Sequence, residues 1–184
     1  NIEIKDLFIK YDIEEGYYYY PAQFWPHKNH IRILQALLLL KNNKITKKVV
    51  FSGGDKGNLS YIKSKILEFG LENEVKLLGF VPSSHIEALY KGSLAIVMPT
   101  YFGPTNIPPL EAWSFGKPLI YSSHLNENVG DAALLVDPDS AEELAEALTS
   151  VLDPDVVKKL VDKGNRRLNE IELMRKNSEA KLLD

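Results

Sequence analysis

Residues 94–121 read LAIVMPTYFGPTNIPPLEAWSFGKPLIY, and the fold is decided there. The stretch opens on an unbroken apolar run, Leu94-Ala95-Ile96-Val97-Met98, bounded by Gly92 and Pro99. The run is too short for a helix, and its continuous apolarity suits a strand buried on both faces of a parallel sheet. A loop carrying Gly103, Pro104, Thr105, Asn106, Pro108 and Pro109 follows. From Pro109 the pattern turns helical, with Leu110, Ala112, Trp113 and Phe115 available for packing, until Gly116 and Pro118 stop it. Leu119-Ile120-Tyr121 then reads as a second buried strand.

Prolines at 108 and 109 suit a first helical turn, where a missing N–H costs nothing. The free N–H groups there, with the positive end of the helix dipole, form an anion site. Glu111 lies one turn inside that end. It either complements the dipole of its own helix or accepts hydrogen bonds from sugar hydroxyls beside a bound phosphate. Its position alone does not separate the two.

Outward from this centre, strands alternate with helices. Residues 1–16 are mixed and charged, with a weak strand-like patch at Leu7-Phe8-Ile9. Tyr17 to Tyr20 is a tyrosine run favouring extended structure, closed by Pro21; a plain sheet strand is the reading adopted. The loop PAQFWPHKNH, residues 21–30, leads into a helix with Ile31, Ile33, Leu34, Leu37, Leu38 and Leu40. Lys48-Val49-Val50-Phe51 is the next strand, followed by Ser52-Gly53-Gly54, whose glycines allow a tight turn and close backbone approach. A helix over 58–69 ends at Gly70. Val75-Lys76-Leu77-Leu78 is a strand, Gly79-Phe80-Val81-Pro82 a turn, and Ser83 or Ser84 the expected cap of the next helix. After the polar segment 122–131 come a short strand, Ala133 to Val136, a helix capped by Ser140, and another from about Pro154. The tail beyond Asn165 is highly charged and expected to be loosely held.

This alternation predicts an α/β fold: a doubly wound, Rossmann-like parallel sheet of about six strands with helices on both faces. With strand order 3-2-1-4-5-6, the first and fourth strands are neighbours where the winding reverses, and ligands bind beyond their carboxyl ends. The loops leaving those strands are Pro21–His30 and Pro99–Pro109, the two with the least ordinary chemistry.

FGPTNIPPLEAWSFGKPLI resembles the nucleotide-binding signature of retaining glycosyltransferases of family 4, enzymes of the two-domain GT-B fold. The resemblance implies a C-terminal nucleotide-sugar-binding domain at 17–164, a linker from a missing N-terminal acceptor domain at 1–16, and a C-terminal helical tail at 165–184. It implies transfer of a sugar from a UDP- or GDP-activated donor to an acceptor hydroxyl with retention, in polysaccharide biosynthesis at the cell envelope. Backbone N–H groups of Thr105, Asn106 and Ile107 would hold the diphosphate, and Glu111 the ribose hydroxyls. The family's earlier glutamate, a donor-sugar contact eight positions before, is Gly103 here. An arginine and a lysine five residues apart usually face the diphosphate; this chain has Gln23 and Lys28. Gln23 offers only a neutral hydrogen bond, so half the expected positive charge is missing. Gly54 is implied near the phosphates, and Phe80 and Val81 near the base. The family needs no bound metal, and no cofactor beyond the donor substrate is expected. Catalytic residues are not identified.

Composition bounds the alternatives. The 184 residues, 45% apolar and 26% charged, are ordinary for one domain. A net charge of −3 gives no general attraction to nucleic acid. The absence of cysteine fits a reducing, cytoplasmic setting, and no apolar run is long enough to span a bilayer. Any membrane association would be peripheral, through the missing domain. The chain begins at Asn1 and is read as a piece of something longer. No G-x-G-x-x-G follows the first strand, which counts against a dinucleotide oxidoreductase. A nucleotide-sugar epimerase of GT-B architecture and a nucleotide-binding module inert on its own both remain open. His27 and His30 lie three apart without an obvious third ligand, and His85 and His124 are isolated. His27 belongs to a loop that faces the expected site.

Overall fold

The apolar run becomes β4, Ser93–Met98, in a computed structural model that describes residues 4–103 and 107–181. It lies in one six-stranded sheet of order β3-β2-β1-β4-β5-β6, with every pairing parallel. The other strands are β1, Tyr17–Pro21; β2, Val49–Ser52; β3, Val75–Leu77; β5, Leu119–Ser122; and β6, Leu134–Val136. This is the expected doubly wound order, with β1 and β4 adjacent at the reversal. Tyr17 to Tyr20 are buried to within 1% of completely, as a central strand covered on both faces requires.

Each of those tyrosines also places its hydroxyl on a partner. Tyr17 donates to the Leu89 carbonyl at 2.8 Å, Tyr18 to the Leu148 carbonyl at 2.6 Å, and Tyr20 to the Lys28 carbonyl at 2.9 Å. Tyr19 and the Ser52 hydroxyl share a 2.7 Å bond. The strand therefore ties both helical layers and the loop after it without leaving a buried hydroxyl unsatisfied.

The helices are α1, Ile4–Tyr11; α2, His30–Asn42; α3, Leu59–Glu68; α4, Ser83–Gly92; α5, Ile107–Ser114; α6, Ala141–Ser150; and α7, Pro154–Lys181. Right-handed crossovers put α2 and α3 on one face, where α6 packs against α2. On the other face α5 packs against α7 and α1 against α4. Ser140 caps α6 as expected, its hydroxyl accepting from the Glu143 N–H at 3.1 Å. The polar segment after β5 forms a 3-10 turn over Ser123–Asn128.

Three expectations are corrected. Leu7-Phe8-Ile9 is helical, in α1: Leu7 and Phe8 are buried, Ile9 faces out, and Phe8 meets Tyr17 edge-on at 6.4 Å. Neither Ser83 nor Ser84 caps α4; Ser83 is already its first helical residue, and Pro82 stands at the cap position with no side-chain bond. The helix from Pro154 runs on to Lys181, and Leu168 and Ile171 still pack on the core, so the tail is held well past Asn165. A close fit anchors α7 to the helix bearing Glu111. A Cβ on Gly164 would lie 2.5 Å from the Trp113 ring, so only glycine lets the two helices approach this far. No helix among the described residues is long and apolar enough to cross a membrane.

Candidate functional site

Parallel strands put every βα loop on one edge of the sheet. Gln23 and Lys28 follow β1, Gly54 follows β2, Phe80 and Val81 follow β3, and Gly103, Ile107 and Glu111 follow β4. Thr105 and Asn106 lie outside the described residues. The loops are stitched to one another. The Tyr101 N–H donates to the His27 carbonyl at 2.9 Å, and the Thr100 hydroxyl reaches the same oxygen at 3.2 Å. Asn29, left-handed at φ 58° and buried, donates to the carbonyls of Pro99 and Pro138 at 2.9 and 2.8 Å. One amide thus fastens the loop after β1 to the loops after β4 and β6.

Lys28 ends a 3-10 turn over Pro26–Lys28. Its ammonium lies 3.4 Å from where a Cβ on Gly103 would be, so the loops after β1 and β4 meet at that cation. Burial pushes the Lys28 ammonium below the usual lysine range. It has no ion-pair partner among the described residues, and a bound anion would offset its lost hydration. Gln23 is exposed and accepts from the Trp25 indole N–H at 3.1 Å. Its side-chain amide N–H groups remain available as neutral donors. Phe80 is 83% exposed while Val81 is buried, so the turn after β3 presents one ring to the edge of the site.

Glu111 sits half-buried in α5, whose first turn begins at Ile107 with Pro109 buried behind it. Its Oε2 accepts from the Tyr90 hydroxyl at 2.8 Å. Among the described residues its Oε1 has no hydrogen bond. Trp113, two residues on, buries its ring and donates to the Ala132 carbonyl at 3.0 Å, which fixes the roll of the helix.

The glycine that geometry demands is Gly53, not Gly54. A Cβ on Gly53 would lie 2.3 Å from the Ala22 carbonyl oxygen, whereas nothing lies within 4 Å of one on Gly54. The Gly53 N–H donates to the Gly79 carbonyl at 2.7 Å, and the Gly54 carbonyl accepts from the Phe24 N–H at 3.0 Å. This pair of glycines therefore binds the loops after β1, β2 and β3 together. Tyr90 and Asn29 carry no local signal of these contacts in the sequence. Gly53 has one, the Ser-Gly-Gly turn after a strand, but that turn does not separate it from Gly54.

The histidines do not gather. His27 stacks on Phe102 at 4.2 Å, His85 bonds the Tyr11 hydroxyl at 2.7 Å, and His124 bonds the Tyr101 carbonyl at 2.6 Å. His30 is fully buried, stacked on Phe24 at 4.4 Å, and neither ring nitrogen has a hydrogen-bond partner among the described residues. Burial holds its pKa down to about 3; the nearby Ala22 backbone opposes this in part, and the charge of Lys28 adds a smaller push in the same direction as burial. As pH falls below about 6.5 the unfolded chain takes up a proton at His30 that the folded chain refuses, so stability declines toward acid. Urea unfolding at pH 7 and pH 5 should show a loss of about 2 kcal/mol at this residue. His30→Phe should remove that part of the difference; an unchanged pH dependence would refute the assignment. Among the described residues no group of three or more histidine or carboxylate side chains could hold a metal ion.

The glycosyl transferases group 1 family matches residues 5–167. The O-antigen chain mannosyltransferase B of Escherichia coli is 30% identical over 144 residues, 77% of this chain and 38% of that protein. The O-antigen chain mannosyltransferase RfbU of Salmonella typhimurium is 25% identical over 159 residues, 83% of this chain and 43% of that protein. The chain thus spans less than half the length of either relative. Among solved structures, HepE of Anabaena in complex with UDP and glucose superposes with a TM-score of 0.78 at 20% identity, over 98% of this chain and 52% of that one. The C-terminal domain of the group 1 protein LpcC of Francisella tularensis superposes at 0.74 with 17% identity, over 92% of this chain and 93% of that one.

Proposed function

The chain belongs to the glycosyl transferases group 1 family, and from that premise we propose that it is the donor-binding half of a retaining transferase of GT-B architecture. The donor is a UDP- or GDP-activated hexose, and the acceptor hydroxyl is held by a domain outside these residues. The single observation that carries this reading is the Lys28 ammonium at Gly103, where the loops after β1 and β4 converge at the switch point of the sheet. A half-buried cation where the two loops converge suits a diphosphate leaving group. The uridine nucleotide and glucose bound by HepE and the mannosyl transfer named for the two relatives support a nucleotide-activated hexose. Lys28 and the amides of residues 105–107 would stabilise the charge that develops on the diphosphate as the glycosidic bond breaks. Glu111 would hold the ribose, Phe80 and Val81 the base. No metal is needed in this scheme, and the half-enzyme alone does not turn over.

Calorimetric titration of the chain with UDP, GDP, ADP and NAD, with and without magnesium, tests this. Binding of UDP or GDP without magnesium is expected and names the base; binding of NAD alone overturns the reading. Lys28→Met should weaken diphosphate binding by about 1 kcal/mol at low salt, with the difference shrinking as salt screens the charge. Equal affinity at every salt concentration would remove Lys28 from the site.

A further inference from the structure

Tyr90 is fully buried, and its hydroxyl donates to Glu111 across the gap between two helices. It ends in α4, on the unit before β4, whereas its acceptor Glu111 is in α5, on the unit after it. We propose that Tyr90 is the positioning residue for Glu111: it holds one carboxylate oxygen so that the other faces the ribose hydroxyls of the nucleotide. This rests on the reading that Glu111 contacts the ribose.

Three observations support it. The Tyr90 ring is fully buried and clamped, edge-on against Tyr19 at 5.3 Å and tilted against Phe115 at 5.0 Å. Tyr19 is itself fixed, buried in the central strand with its hydroxyl on Ser52. The Tyr90 oxygen therefore has a set position, and its single proton points to Glu111 Oε2. Burial, then the charge of Glu111, pushes the Tyr90 hydroxyl far above the usual tyrosine range, so it stays a donor. Finally, Glu111 is only half-buried and could be solvated by water. The bond is thus not needed to satisfy the carboxylate; what it removes is rotational freedom, leaving Oε1 as the open acceptor. As core filling alone, a phenylalanine would serve equally well, so the hydroxyl is what separates the two roles.

The test compares affinities for the ribonucleoside diphosphate, UDP or GDP, with those for its 2′,3′-dideoxy counterpart. The wild-type chain, Glu111→Ala, Tyr90→Phe and the double variant are measured alongside thermal unfolding. Wild type should prefer the ribonucleotide, and Glu111→Ala should lose that preference. Tyr90→Phe, which keeps the ring contacts, should cut the preference roughly three- to tenfold, as for one hydrogen bond. Its affinity for the dideoxy nucleotide should stay within about twofold of wild type. The double variant should bind no worse than Glu111→Ala. If Tyr90→Phe keeps the wild-type preference, or weakens both nucleotides alike, Tyr90 is a packing residue and the proposal falls while the ribose reading stands. If wild type shows no ribose preference, or Glu111→Ala retains it, the reading beneath falls, and the proposal with it.

Discussion

Gly53→Ala should destabilise the chain by about 2–4 kcal/mol, while Gly54→Ala, one residue along, should stay within about 0.5 kcal/mol of wild type. At Gly53 the added methyl would sit 2.3 Å from the Ala22 carbonyl oxygen, 2.6 Å from the Ala22 carbonyl carbon and 2.7 Å from the Gln23 nitrogen. All three are backbone atoms, so no rotamer change relieves the clash. The φ of 152° adds strain for any L side chain. The clash can be escaped only by moving the loop after β1 away from β2. That motion breaks the Phe24 N–H bond to the Gly54 carbonyl and displaces Lys28 further along the same loop. A Cβ on Gly54 meets open space, and alanine there also restricts the unfolded chain. Denaturant midpoints of the two variants measure the contrast. Equal stability would mean that the close approach at Ala22 is absent in solution. Where Gly53→Ala still folds, its nucleotide affinity should fall more than that of Gly54→Ala.

Glu111→Ala should weaken binding of the nucleoside diphosphate by about 1–3 kcal/mol, the range for losing hydrogen bonds to a charged group. Position 111 sits in an eight-residue helix whose own dipole already favours an acid there. A purely helical role would therefore leave affinity intact and cost only stability. The structure adds a complication, because removing the carboxylate strands the buried Tyr90 hydroxyl without its acceptor. A stability loss of about 1–3 kcal/mol is expected from that source alone. Pairing the change with Tyr90→Phe removes the stranded donor, so the double variant should recover stability but not affinity. Unchanged affinity in a folded Glu111→Ala chain would take Glu111 out of the site.

The sequence by itself determined the fold class and which loops make up the candidate site. The apolar run at 94–98, the stop at Gly116 and Pro118, and the strand–helix alternation are local signals; chirality narrows that alternation to a doubly wound sheet, and the structure shows the order to be 3-2-1-4-5-6. The switch point then follows, with the loops after Tyr17–Tyr20 and after Met98 meeting there. Short apolar runs at the chain start were less legible. Leu7-Phe8-Ile9 has no period of its own, and it became helix because Leu7 and Phe8 find cover against Tyr17 and α4. The extent of α7 was also hidden, since its charged surface masks the few positions, Leu168 and Ile171, that reach the core.

Only the tertiary structure decided how the residues of the candidate site are held. Gly53 and Gly54 are the same letter twice, and what distinguishes them is the backbone of residue 22 lying across one and not the other. Asn29 reads as a turn residue, yet its amide joins carbonyls 70 and 109 positions away. Tyr90 reads as one more apolar position on a helix face, and its acceptor is 21 residues later on another helix. Periodicity and turn chemistry are written in neighbouring residues and survive in the sequence. Orientation is set by contacts between elements that meet only when the sheet is closed, and a single sequence carries no record of which side chains those will be.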